Sequence, residues 1–401
     1  MCIRDSSKGL RTISNNVANM NTPGFKKSQL LFEEQFNASV PYKHDRQGLG
    51  GEGNGGGVNA YASRIDFSPG EARQTGASLD MAVDGAGYFM LRAPDGEVRY
   101  TRAGQFDFGD DGILRNKSDG AIVLGTGRKG EGPLGPISLA GMTTSPANST
   151  SSIRFTGYLS STGTDHQLAA VKIYDRSGAE HLLKVSFANM GATQPGAWKV
   201  TVEDGPNKIG EGMLVFKDGR LDPASAKIGV TYALPSLATQ SITLDFSEGV
   251  TSFASGTTST LTVSGQDGYT AGTATGVTFD ASGTLSVAYS NGQSVQGSRI
   301  ALARFSSDDV LSPLGASQFV LVDARGRTVG NPREAGFGRL QTGRVEGSNV
   351  DLSQEFSDLV VMQRGYQAAS QTISTANDLI QSLFCLLYTS PSPRDATLYR
   401  M

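Results

Sequence analysis

Cysteine is nearly missing from this chain: Cys2 and Cys385 are the only two among 401 residues, each close to an end. That excludes a disulfide framework or a thiolate metal site in the body of the protein. Tryptophan occurs once, at Trp198, and histidine at His44, His166 and His181. The histidines share no short motif and no cysteine supports them, so they read as surface or strand residues and not as metal ligands. Charge is sparse: 18% of residues are charged, the formal net charge is −3, and the basic residues are scattered. No footprint for nucleic acid results. No apolar run approaches the roughly 20 residues needed to cross a bilayer. Residues 1–25 also lack the continuous apolar segment of a secretory signal, so export would need a route without a cleaved signal. Neither a GxSxG elbow nor an HExxH zinc pair occurs.

Glycine, with 51 residues, is what the chain has in excess, together with many Ser, Thr and Asn. It follows no collagen period, and an apolar fraction of 38% is too high for simple disorder. This balance suits short strands joined by tight turns. A chain of this length divides into about two to four domains. From Val58 apolar residues alternate with period two, as in Leu79, Met81 and Val83 before Asp84-Gly85. Pro94-Asp95-Gly96, Asp111-Gly112, Lys217-Asp218-Gly219 and Ser290-Asn291-Gly292 punctuate further alternating runs. Asp-Gly and Asn-Gly pairs between such runs are hairpin signals, because a type I′ turn needs positive φ at both central residues.

The ends read differently. Leu10, Ile13, Val17 and Met20 form a narrow helical stripe that Pro23 and Gly24 end, and Ser28 to Phe36 are expected to add another turn or two of helix. Near the other end Leu352, Leu359, Tyr366, Ile373 and Ile380 recur every seven residues, with Met362, Ala369, Ala376 and Leu383 at the same period. Two apolar seams at 3.5-residue spacing predict helices that close on each other or on neighbouring copies. Isolated helices of this kind are marginal in water, so the ends are expected to order on assembly. The expected fold is mainly β with α-helical termini: nested β domains plus N- and C-terminal helices forming a coiled coil.

The expected boundaries are an N-terminal helix over residues 7–36 and a Gly-rich connector over 37–72. A first β domain follows over 73–150, an inserted β domain over 151–289, the return of the first over 290–345, and a heptad helix over 346–384. Met1 to Ser6 and the run Cys385-Leu386-Leu387-Tyr388-Thr389-Ser390-Pro391 onward back-translate onto the two strands of one transposon adaptor used in sequencing libraries. Residues 1–6 and 385–401 are therefore expected to be translated library sequence. Removing them would leave no cysteine.

Two motifs point elsewhere and are set aside on context. Gly51-Glu52-Gly53-Asn54-Gly55-Gly56 is a formal GxGxxG, but it sits in a glycine linker without the strand and helix a dinucleotide site requires. Asp107, Asp110 and Asp111 hint at a calcium loop, yet the twelfth-position glutamate is absent and a β-turn explains the same residues. No catalytic, cofactor-binding or metal residue is assigned, and no cofactor is expected.

Ser14-Asn15-Asn16-Val17-Ala18-Asn19-Met20-Asn21-Thr22-Pro23-Gly24-Phe25-Lys26 resembles the N-terminal motif of the bacterial flagellar axial family of rod and hook proteins. Residues 79–89, Tyr100-Thr101-Arg102-Ala103-Gly104-Gln105-Phe106, Glu346-Gly347-Ser348-Asn349-Val350-Asp351-Leu352 and Gln363-Arg364-Gly365-Tyr366-Gln367 resemble its later motifs, in order, over residues 7–384. Within the family the hook branch is matched best, since distal rod members lack a large inserted β region. The family ordinarily has roughly ten further residues before the segment beginning at Ser7. The resemblance implies a structural subunit that polymerises into the tube joining rod to filament, with the terminal helices as its inner layer. It also implies rod, hook-cap and hook–filament junction proteins and the flagellar export apparatus as partners, and an extracellular place in the flagellum. A distal rod protein is the alternative within the family, and a secreted β-rich adhesin or enzyme the alternative of another class. The residues expected to carry self-assembly are the two seams above, with Asn19, Asn21, Thr22, Pro23, Gly24 and Phe25 as the family motif.

Overall fold

The computed structural model describes residues 3–34, 58–128, 130–233, 239–254, 256–323 and 326–388. His44, the glycine connector at 48–57 and residues 389–401 lie outside them. Helix α1 spans Ile3–Ala18 and helix α2 spans Leu352–Tyr388, with β-strands between. The architecture is thus mainly β with terminal helices that contact each other. The chain divides into two compact units. One comprises residues 1–138, 278–285 and 296–401; the other comprises 139–277 and 286–295.

The first unit is built from both flanks of the chain. Strand Tyr88–Arg92 pairs with Val98–Thr101 in the register Phe89↔Thr101, and with Ile122–Arg128 through Leu91↔Val123. The return segment closes the same sheet: Leu302 opposes Phe89, and Phe319 opposes Tyr100. Tyr88, Met90, Tyr100, Leu124, Phe305 and Phe319 share one buried cluster. Edge-to-face rings such as Tyr100 and Phe305, 5.0 Å between centroids, give it a specific geometry.

The second unit has its own core around Trp198, which is 1% exposed. Strand Ser152–Ser160 lies parallel to Gln240–Asp245 and to Val250–Phe253, while residues 165–217 form an antiparallel meander. Phe155 stacks on Phe246 at 4.5 Å, and Phe187 meets Phe246 edge-on at 6.0 Å. The Lys217-Asp218-Gly219 turn forms as its residues dictate, with φ of 52° at Asp218 and 76° at Gly219. Asp107, Asp110 and Asp111 belong to the hairpin joining Phe106–Phe108 to Leu114–Asn116, where Asp111 is held by Arg115 at 2.6 Å.

Two local expectations fail. Helix does not resume at Ser28: Ser28–Glu34 is a strand paired antiparallel with Val58–Ile65, with a bulge between Leu31 and Phe32, and Gln35 and Phe36 lie outside the described residues. The glycine linker lets a distant apolar segment return as a partner strand, and that pairing overrides the weak local helical preference. The C-terminal helix begins at Leu352, not 346, because Arg344–Glu346 is a strand, and it continues past residue 384 to Tyr388. Leu386 and Leu387 are good helix formers, and the first proline comes only at Pro391.

Carboxylates cap several turns of the second unit. The Ser177 hydroxyl, then His181, hold the Asp175 carboxyl well below the usual range, and Ser247 does the same for Asp245. A depressed folded pKa contributes stability above the unfolded value of 3.8, lost as pH falls through the folded value. Unfolding followed by Trp198 fluorescence should therefore shift to lower temperature as pH drops from about 5 toward 2. Asp175→Asn should cost about 1–3 kcal/mol at neutral pH and flatten that dependence.

Candidate self-assembly site

Each terminal helix has a defined inner end. Helix α1 stops at Ala18, after which Asn19 Nδ2 donates to the Asn15 carbonyl at 2.9 Å and Thr22 Oγ1 donates to Asn19 Oδ1 at 3.1 Å. These side chains satisfy polar groups that the helix end leaves free. Helix α2 starts on Asp351, whose carboxylate accepts from the backbone N–H of Ser353 at 2.9 Å and of Gln354 at 3.2 Å. That is an N-cap, worth about 1 kcal/mol.

The helices meet over a short stretch. Ile13 is buried, and a Cβ at Gly9 would lie 3.0 Å from Met362 Sδ. Buried Asn16 donates to Glu355 Oε2 at 3.1 Å and brackets Ser28, giving to its carbonyl at 2.9 Å and accepting from its N–H at 3.0 Å. Met362 is half-buried at this contact, and Leu10, Val17, Met20, Leu352, Leu359 and Ala369 are also half-buried.

Beyond it the seam is uncovered. Helix α1 has 16 residues and α2 has 37, lengths of about 24 and 55 Å at 1.5 Å per residue. Every residue from 370 to 385 is exposed, including Ile373 at 55%, Ala376, Ile380 at 50% and Leu383 at 58%. Tyr366 is also exposed. The seam residues therefore fall into a first group that is buried or half-buried and a second that is exposed. Phe356, Val360, Val361, Leu379 and Phe384 add exposed apolar surface that the heptad reading missed. The run Leu359-Val360-Val361 was the available sign, because one helical stripe cannot bury three consecutive residues.

Between helices and β-strands lies a dense junction. Gly24 has φ of +67°, and a Cβ there would lie 2.4 Å from the Ala103 backbone nitrogen. Its N–H donates to the Glu346 carbonyl at 2.8 Å. Lys26 Nζ donates to Glu346 Oε1 at 2.5 Å and to the Ser68 carbonyl at 2.7 Å. Arg102 approaches the same carboxylate through Nη1 at 3.4 Å, and also donates to the carbonyls of Val83 and Gly85. The three side chains are 1%, 3% and 7% exposed for Lys26, Glu346 and Arg102. Burial pushes the Lys26 ammonium below the usual lysine range, against the pull of Glu346. Thr22, Pro23 and Phe25 flank this cluster half-buried, whereas Asn21 is exposed.

Four family models match parts of the chain in order. They are "Flagella basal body rod protein" over residues 5–26, "Flagellar hook protein FlgE/F/G D1 domain" over 82–160, "Flagellar basal body protein FlaE D2 domain" over 159–269 and "Flagellar basal body rod FlgEFG protein C-terminal" over 341–384. The chain belongs to the flagellar rod and hook protein family. Among relatives of this family, the flagellar hook protein FlgE of Escherichia coli K12 is 28% identical over 404 residues, covering 94% of this chain and 96% of that protein. The FlgE of Brucella abortus is 28% identical over 394 residues, covering 93% and 94%. In fold, the chain is similar to the crystal structure of Helicobacter pylori flagellar hook protein FlgE2, at a TM-score of 0.51 and 14% identity over 68% of this chain and 98% of that one.

The remaining sequence candidates are occupied locally. His166 Nε2 lies 2.8 Å from the Leu261 carbonyl, and His181 Nε2 lies 3.0 Å from Asp175 Oδ2. Among the described residues no group of three His, Cys, Asp or Glu is placed to hold a metal ion. No helix among them is long and apolar enough to cross a membrane.

The rod-and-hook motif glycine is testable. Gly24→Ala should lose about 1–2 kcal/mol from the left-handed backbone alone, and more from the contact with Ala103. Hydrogen exchange at residues 16–34 should speed accordingly, with the strands around Trp198 unaffected.

Proposed function

We propose that this chain is the structural subunit of a bacterial flagellar hook, polymerising into the extracellular tube that couples rod to filament and transmits torque. The observation that carries the reading is that hook members of the family match the chain nearly end to end, with the D2-domain model over residues 159–269. The apolar heptad of α2 continues through residues 370–385, all of them exposed. A neighbouring copy's helix would bury it, and each Leu or Ile so covered contributes about 1.5–3 kcal/mol. Contacts made head to tail, by one surface on a different surface of the next copy, generate a helical polymer and not a closed dimer.

By the same reading, the paired terminal helices form the inner layer of the tube. The D2-domain match over residues 159–269 favours the hook over a distal rod protein, whose members lack that insert. Rod, hook-cap and hook–filament junction proteins and the flagellar export apparatus are the further partners this reading implies.

The purified chain should form tubes visible by electron microscopy and pelleted by centrifugation. Ile373→Asp or Ile380→Asp should abolish them at concentrations where the unsubstituted chain polymerises, with the Trp198-reported unfolding transition unchanged. Normal tubes from either variant would remove the seam from the assembly contact.

A further inference from the structure

The junction holds an arrangement that ordinary packing does not require. Two cations from distant parts of the chain, Lys26 and Arg102, converge on the single buried carboxylate of Glu346. Taking such charges out of water is costly, and apolar side chains of similar volume often serve stability equally well. What an ion cluster adds is direction, since each N–H must aim at a fixed oxygen.

The direction bears on the helices. Glu346 lies six residues before the first residue of α2 (352 − 346), and Lys26 eight after the last residue of α1 (26 − 18). Arg102 anchors the cluster to the β-strands through the carbonyls of Val83 and Gly85. Glu346 Oε1 also accepts from the Gly70 N–H at 3.1 Å, and its own strand pairs with residues 72–74. Asn349 extends the tie, accepting from the Lys27 N–H at 2.8 Å and donating to the Asp66 carbonyl at 2.8 Å. A continuous path of directed bonds thus runs from the β-strands to the exits of both helices.

We propose that Glu346, with Lys26 and Arg102, is a positioning group for self-assembly, fixing the direction in which the paired terminal helices leave the β-strands of the first unit. The proposal rests on the assembly reading above. The cluster touches no neighbour; it acts by presenting the α2 seam at one angle. Because Lys26 and Glu346 satisfy each other across the whole chain, neither end docks fully without the other.

Two variants test it in the full chain. Glu346→Gln leaves two buried cations without their counter-charge. Amide exchange at residues 16–34 and 346–362 should quicken at least tenfold, with the strands around Trp198 unchanged. Unchanged exchange at both ends would overturn the proposal. Replacing the cluster together, as Lys26→Met, Arg102→Met and Glu346→Leu, removes the charges while keeping the volume. This variant should hold the unfolding temperature of the first unit, yet give polymers whose helical repeat, measured by cryo-electron microscopy, is altered or heterogeneous. Polymers with the unsubstituted repeat would overturn the positioning role and leave the cluster a stability element. If Glu346→Gln fails to fold, the triple variant decides. If the unsubstituted chain forms no polymer, the assembly reading fails, and the exchange measurement still decides whether the cluster holds the helix exits.

Discussion

Desolvating a lysine is unfavourable, and in this protein the unfavourable step is taken at the point where the two ends of the chain meet. Lys26 is buried because Gly24, in a left-handed conformation, presses the N-terminal segment against the backbone of Arg102 and Ala103. Glu346 must then lie within reach, which places the strand Arg344–Glu346 beside residues 72–74 and sets where α2 begins. Losing one partner would strand a charge in a low-dielectric site, a larger penalty than losing the attraction itself. The exits of both helices and the strand pair at 72–74 and 344–346 meet at this one cluster of charges.

The chain path is nested. With the ends brought together, everything between must leave and return, and the first unit is accordingly made from residues on both sides of the insert. Leu302 beside Phe89 and Phe319 beside Tyr100 are contacts between segments more than two hundred positions apart. The second unit can form within this loop because it has a complete aromatic core of its own, with Trp198, Phe155, Phe187 and Phe246 buried together. Its turns are stabilised by carboxylates that accept several N–H and O–H donors, which makes it sensitive to acid.

The helices show the opposite economy. Where α1 and α2 touch, one buried isoleucine, one close glycine and one amide–carboxylate bond make a modest contact. Past residue 369 the α2 seam displays isoleucine and leucine to solvent. Directed polar bonds hold the helices at their base, and undirected apolar surface is left over further along.

Much of this was legible in one dimension. Period-two alternation, Asp-Gly turns and heptad spacing are local patterns, so they alone established the mainly β body, the turn at Asp218 and Gly219, and the helical ends. Lys26, Arg102 and Glu346 lie within three separate motif segments, but nothing in the sequence singled them out or joined them. The strand at Ser28–Glu34 was hidden, because its partner Val58–Ile65 lies across a glycine-rich segment and strand pairing is a non-local property. The division of the α2 seam was hidden too, since a heptad repeats identically whether its partner is the same chain or another. Only the tertiary structure decided these points: the pairing of Ser28–Glu34 with Val58–Ile65, and the convergence of two cations on one carboxylate, are contacts between residues apart in sequence, which no local periodicity encodes.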